Sequence, residues 1–175
     1  MALAGVLAFV GCGKSEADKN REKREAGCVN NLKQMGTALI TYDNDYKKFP
    51  EKSGVAGLEE LRSTQLDESR SFVCPSTLLT PAADGEKLTK DNCSYLYFAG
   101  LPTESSLSLP IVMDLPGNHE KVIHYLRTDT SVGSVKCKGK ISAVEAVYLI
   151  LGKKSGFTED EQKIVDQAKA WDEGK

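Results

Sequence analysis

The sequence predicts an α+β domain in which one long N-terminal helix lies on a small antiparallel sheet, with two further helices behind it. Three observations carry this expectation. Cys28, Leu32, Met35, Leu39, Tyr42 and Tyr46 recur at alternating spacings of four and three, a continuous apolar stripe on one helix of about twenty residues. Four short β-rich runs follow, over 94–98, 110–113, 122–126 and 132–135, each ended by Gly, Pro, Asn, Asp or Thr. Connections this short exclude crossover helices, so the strands should form a meander. The tail then returns to helical periodicity behind Ser142 and Thr158, two residues suited to cap a helix.

The remaining elements follow in order. The long helix should stop near Lys48, because Pro50 disfavours helical geometry in the residue before it. Asp43 and Asp45 lie in its last turns, where acidic charge opposes the helix dipole. A short second helix is predicted over Gly57–Ser63 with Leu58 and Leu61 inward, then an extended Phe72-Val73-Cys74-Pro75. Residues 81–92 are polar and turn-rich and suggest a surface excursion. Ser142 with Glu145 three residues on forms a capping box for a helix facing inward through Val144, Val147, Tyr148 and Leu151, which Gly152 and Gly156 end. The last helix begins with Glu159, Asp160 and Glu161, favourable at a positive helix start, and turns Ile164, Val165, Ala168 and Trp171 inward.

The chain has 175 residues, 40% hydrophobic and 27% charged, the balance of a folded protein. Its 23 basic and 25 acidic residues give a net charge of −2, which argues against a nucleic-acid surface. At the N-terminus an apolar run, Met1–Val10, meets Gly11 and Cys12 and turns abruptly polar. The run is too short to span a bilayer and suits an export signal. Phe9-Val10-Gly11-Cys12 looks like a bacterial lipobox with Cys12 as the lipid-bearing residue, although Phe9 stands where Leu is preferred and no basic residue precedes the run. The expected organisation is a signal peptide over 1–11, a charged tether over 12–25 that turns helical toward its end, an α+β domain over 26–138 and a helical extension over 139–175. The expected location is the cell envelope, lipid-anchored and facing the periplasm or the exterior.

Cys28, Cys74, Cys93 and Cys137 remain. Four cysteines allow three pairings. Cys28 with Cys74 would tie the long helix to the following loop, and Cys93 with Cys137 would join the first and last strands. Each bridge would be worth roughly 4 kcal/mol in the chain-entropy model. Free thiols buried as small hydrophobes are the alternative. No CxxC pair exists and His119 and His124 lie in a different segment type from any cysteine, which argues against zinc.

The run Cys28-Val29-Asn30-Asn31-Leu32-Lys33-Gln34-Met35-Gly36, continuing through Tyr42-Asp43-Asn44-Asp45 to Phe49-Pro50, resembles the opening of type II secretion pseudopilin-like proteins of the planctomycete and verrucomicrobial kind. Phe72-Val73-Cys74-Pro75-Ser76, Ser94-Tyr95, Pro110-Ile111-Val112-Met113-Asp114 and Asn118-His119 follow in a similar order. The resemblance covers roughly residues 26 to 135 and implies the helix-on-sheet fold. Two departures stand out: Asp129-Thr130 replaces the Asp-Gly turn of that family, and the lipobox and charged tether replace its polymerising hydrophobic helix.

For chemistry, Asp114, Asn118 and His119 form the strongest polar constellation, with a His able to act as a base beside a carboxylate. No nucleophile elbow accompanies them, and Asn and His in such a turn more often hold the loop. Asp43, Asn44 and Asp45, or Asp114 with Asp129, could offer oxygens to calcium, but Lys47 and Lys48 stand where further ligands would be needed. Tyr95, Tyr97 and Phe98 could stack on a sugar, or pack on the helix. The expectation is a non-enzymatic envelope protein acting through contacts with other envelope or secretion proteins. The alternatives are an extracytoplasmic module binding a glycan or peptide and, third, a hydrolase using Asp114 and His119.

Overall fold

The computed structural model describes residues 14–103 and 108–174. The segment expected to be a signal peptide, and the expected lipid site Cys12, lie outside the described residues. Helix α1 runs Glu16–Tyr46, α2 Val55–Gln65, and a 3-10 turn Ser69–Phe72 leads to strands β1 (Tyr95–Tyr97), β2 (Pro110–Asp114), β3 (Val122–Arg127) and β4 (Val132–Lys136). Helices α3 (Ala143–Leu151) and α4 (Glu159–Asp172) close the chain. The strands form one antiparallel meander in the order β1-β2-β3-β4, so the α+β class and the helix-on-sheet plan are as the sequence predicts.

α1 begins earlier than expected. Ser15 accepts the Asp18 N–H as its N-cap, Glu16 and Asp18 stand in the first turn, and ion pairs Lys19–Glu16, Arg21–Asp18 and Arg21–Glu25 run along the next turns. A cap plus i,i+3 and i,i+4 pairs makes a helix out of residues that have nothing to bury. The stretch read as a tether is therefore helical from Glu16. Its first twelve residues, Glu16–Gly27, contain no buried side chain and extend about 18 Å at 1.5 Å per residue.

From Cys28 the stripe goes inward: Cys28, Leu32, Met35, Leu39 and Tyr42 are buried, and only Tyr46 ends exposed. The helix stops at Tyr46, one turn before Pro50, with Lys47 left-handed at φ 59°. Strand parity defines the face that meets α1. Leu126 touches the Cα side of Gly36, where an added methyl would stand 3.1 Å from its Cδ1. Val112 pairs with Leu126 and Tyr97 with Val112, so Tyr95, Tyr97, Val112, Asp114, His124 and Leu126 share the helix-facing side. Leu96 points the other way, into a hollow it lines with Gln167 and Trp171 of α4.

The connections are tied by polar contacts. The 81–92 excursion is not loose: Glu59 of α2 accepts from the Leu88 N–H at 3.0 Å and from Arg62, which also donates to the Glu86 carbonyl. The β3–β4 turn closes without glycine. Thr130 takes φ 63°, its N–H donates to the Arg127 carbonyl, and Asp129 accepts from the Ser131 N–H. The predicted capping box forms at Ser142/Glu145, and the predicted Thr158 cap is completed as a second box by Glu161. The Asp172 carboxylate accepts from the Ala143 and Val144 N–H groups, so the end of α4 caps the start of α3. The segment expected to be extended from Phe72 begins instead as the 3-10 turn, and α2 extends two residues beyond 57–63 at each end.

Gly57 faces Tyr97 so closely that a methyl would collide with the Lys52 carbonyl and stand 2.5 Å from the Tyr97 ring. Gly57→Ala should therefore destabilise by about 2 kcal/mol in urea unfolding, although alanine is the better helix former by about 1 kcal/mol. A second expectation concerns acid. Burial opposes ionisation of Glu59, but the Arg62 guanidinium and Leu88 N–H outweigh it and hold its pKa below the ordinary value. A depressed carboxylate contributes stability above its unfolded pKa and loses it as pH falls through the folded one. Glu59→Gln should thus cost about 1 kcal/mol at neutral pH, and the difference from the parent should shrink as pH falls through and below the ordinary glutamate range.

Candidate functional site

At one end of the helix–sheet interface, four separate chain segments deliver a polar cluster into the interior. α1 contributes Cys28 at its first buried turn. The loop after the 3-10 turn contributes Cys74, the last residue of β2 is Asp114, and the β2–β3 turn contributes His119. Cys28, Cys74 and Asp114 are 0% exposed and His119 is 6% exposed. His124 follows on the same sheet face, because β3 alternates His124 and Leu126 toward α1.

The distances are short. His119 Nε2 lies 3.2 Å from Asp114 Oδ2 and 3.3 Å from Cys74 Sγ. The Cys28 thiol reaches the same Asp114 Oδ2 at 3.5 Å, and the two sulfurs and a His119 ring nitrogen all lie within 4.8 Å of one another. Around them stands a set of fixed partners. The Tyr95 hydroxyl donates to Cys28 Sγ at 3.3 Å and is itself held by Asn31. The Ser76 N–H donates to Cys74 Sγ at 3.4 Å, and Ser76 Oγ meets His119 Nδ1 at 3.2 Å. The His124 N–H donates to Asp114 Oδ1 at 2.9 Å.

These surroundings perturb the titration of each group. Burial pushes the Asp114 carboxyl up to about 8, against the pull of His119. The hydrogen bond between the two thiols pushes Cys28 up and Cys74 down, with burial adding to the first and His119 to the second. For His119 burial disfavours the cation, yet Cys74 and Asp114 outweigh it and raise the pKa. For His124 burial and the neighbouring His119 both lower it. Neither ring nitrogen of His124 has a hydrogen-bond partner.

The disulfide expectations need correction. Among the described residues the four cysteines are free and buried. Cys28 and Cys74 do come together, but as thiols whose sulfurs also contact Asp114 and His119. Cys93 and Cys137 flank β1 and β4, the two edges of the sheet, three strand spacings or about 14 Å apart, well beyond disulfide reach. Cys93 instead donates to the Tyr95 carbonyl.

The other candidates resolve as follows. Asp114 and His119 do meet, whereas Asn118 turns aside and donates to the Ser94 carbonyl at 2.7 Å, holding the turn. Asp43, Asn44 and Asp45 occupy consecutive positions of a helix and cannot converge on one ion. Asp129 is engaged by Ser108 and Ser131 at the opposite end of β2 from Asp114. Tyr95, Tyr97 and Phe98 are wholly buried and belong to the core, so they offer no sugar-stacking surface. Cysteines and histidines from segments of different type do come together here, because all of them fold onto one end of the sheet. The sequence does not assign His124 and Tyr95 to this cluster; the available signal is a polar group among apolar residues on the inward face of a strand.

As acid–base machinery the cluster is poorly arranged. The thiol and the carboxylate approach the same imidazole nitrogen, so the ring cannot take a proton on one side while its other nitrogen is oriented by the carboxylate, as a catalytic triad requires.

A model of a protein family of unknown function, DUF1559, matches residues 18–81, which span most of α1, α2 and the loop carrying Cys74. No curated protein and no solved structure gave a significant match.

The separation of the sheet edges yields a direct check. Peptide mapping of the native protein without reductant should recover no peptide linking Cys93 to Cys137; finding that bridge would contradict the strand order.

Proposed function

We propose that this chain is a pseudopilin-like head domain held at a bacterial envelope membrane by a lipid on Cys12, working through contacts with other envelope proteins. The observation that carries the reading is the division of α1 into two parts. Its C-terminal half is seated in the core, while Glu16–Gly27 has no fully buried residue and is laced by its own charge pairs. Such a segment serves as a spacer between an anchor and a head. Among the described residues no helix is long and apolar enough to cross a membrane, which leaves attachment to the segment ahead of α1.

The family-model match over 18–81 and the helix-on-sheet plan agree with the resemblance to pseudopilin-like heads. The role is non-catalytic: Cys74, Asp114 and His119, the only reactive constellation the sequence and fold bring together among the described residues, are sealed under α1 with at most 6% exposure. The glycan reading loses its aromatic platform to the core.

Several acyl chains hold a protein far more firmly than surface contacts do. Expressed in a bacterium with a lipoprotein pathway, the parent should fractionate with membranes and Cys12→Ser should move to the soluble fraction. Unchanged fractionation of the variant, or recovery of the parent from cytosol with Met1 intact, would overturn the anchored reading.

A further inference from the structure

We propose that Cys28, Cys74, Asp114 and His119 form a buried tetrahedral site for a zinc ion, which clamps α1 to the sheet. Four donors on a tetrahedral zinc, with Zn–S near 2.3 Å and Zn–N or Zn–O near 2.0–2.1 Å, must stand about 3.3–3.8 Å from one another. The contacts found are 3.2 Å between His119 Nε2 and Asp114 Oδ2, 3.3 Å between His119 Nε2 and Cys74 Sγ, and 3.5 Å between Cys28 Sγ and Asp114 Oδ2. Three edges of a coordination tetrahedron are therefore already near their required length, and the two sulfurs lie within 4.8 Å of each other and of a His119 nitrogen, so a small closing movement of Cys74 toward Asp114 completes the set.

The outer partners are those of metal ligands. A ligating histidine uses one nitrogen for the metal and fixes its tautomer through the other; His119 presents Nε2 inward and gives Nδ1 to Ser76 Oγ. Asp114 directs Oδ2 inward while Oδ1 is held by the His124 N–H. Both sulfurs receive a donor from outside, Tyr95 O–H on Cys28 and Ser76 N–H on Cys74, which stabilises thiolates. A donor set of two sulfurs, one nitrogen and one oxygen favours zinc over magnesium or calcium, which prefer all-oxygen sets.

His124 supplies a separate observation. Its ring is 93% buried, counting from its 7% exposure, and both nitrogens lack a partner, yet it lies within 4.8 Å of the Asp114 carboxylate and a His119 nitrogen. A buried imidazole with no partner costs roughly 1–3 kcal/mol. A divalent cation at the centre of the cluster gives its lone pair something to face. Binding at neutral pH releases the protons still on the thiols, so folding and metal uptake are coupled. A zinc clamp would take the place of the Cys28–Cys74 disulfide, since the same sulfurs cannot serve both.

The test uses the full chain purified under reducing conditions without chelator. Elemental mass spectrometry should find one zinc per chain, and replacement by cobalt(II) should give the intense ligand-field and sulfur-to-cobalt charge-transfer bands of a tetrahedral thiolate site. Cys74→Ser and His119→Ala should abolish the charge-transfer spectrum or reduce it to the level of buffer, while Cys93→Ser, a buried thiol outside the cluster, should retain it. A strong chelator should lower the Tm of the parent and of Cys93→Ser. Should the ligand variants fail to fold, the parent spectrum decides by itself. Reduced parent protein that takes up no cobalt, cobalt bound without charge-transfer bands, unchanged spectra in both ligand variants, or a Cys28–Cys74 disulfide in protein isolated from its membrane would each overturn the proposal.

Discussion

The seating of α1 on the sheet through Gly36 is the constraint on which the rest of the structure depends. With no side chain there, the helix approaches β3 until Leu126 lies against its backbone, and that approach brings Cys28, Leu32, Met35 and Leu39 into full contact with the strands. The single core is continuous from this interface through β1 and β2, buried at every position, to Ile164, Val165 and Ala168 of α4. Cover on both faces explains why β1 and β2 read as near-continuous apolar runs, whereas β4 at the far edge is half-exposed and mixed in composition.

The same close approach seals a polar cluster that would be costly in isolation. Buried carboxylates, thiols and imidazoles are tolerated when each has partners, and all but His124 find theirs within the cluster. Their placement at the first buried turn of α1 is consequential. There the helix leaves the core and continues as a charged, largely solvated segment, so whatever holds Cys28 holds the point where that segment joins the domain.

Local chemistry made much of the fold legible in advance. The stripe on α1, the four strands and the two helix caps are written in spacings of three, four and two, and in cap residues whose reach is a few ångströms. Thr130 is instructive as a near miss. The missing glycine suggests that the tight turn fails, yet Asp129 and Ser131 hold it shut with a threonine in the left-handed region. The charged stretch is solvated as expected but helical from Glu16 instead of only toward its end, because charge pairs and a Ser15 cap suffice once the rest of the helix is anchored.

What the sequence determined by itself was therefore the set of elements, their order and the antiparallel meander, since those rest on periodicity, short connections and caps, all local. Only the tertiary structure decided that Cys28, Cys74, Asp114 and His119 share one point, that Cys93 and Cys137 do not, and that Gly57 must stay a glycine. Those outcomes depend on which strand edges and helix faces meet, and such distances are fixed by packing between residues up to 86 positions apart, where no spacing rule reaches.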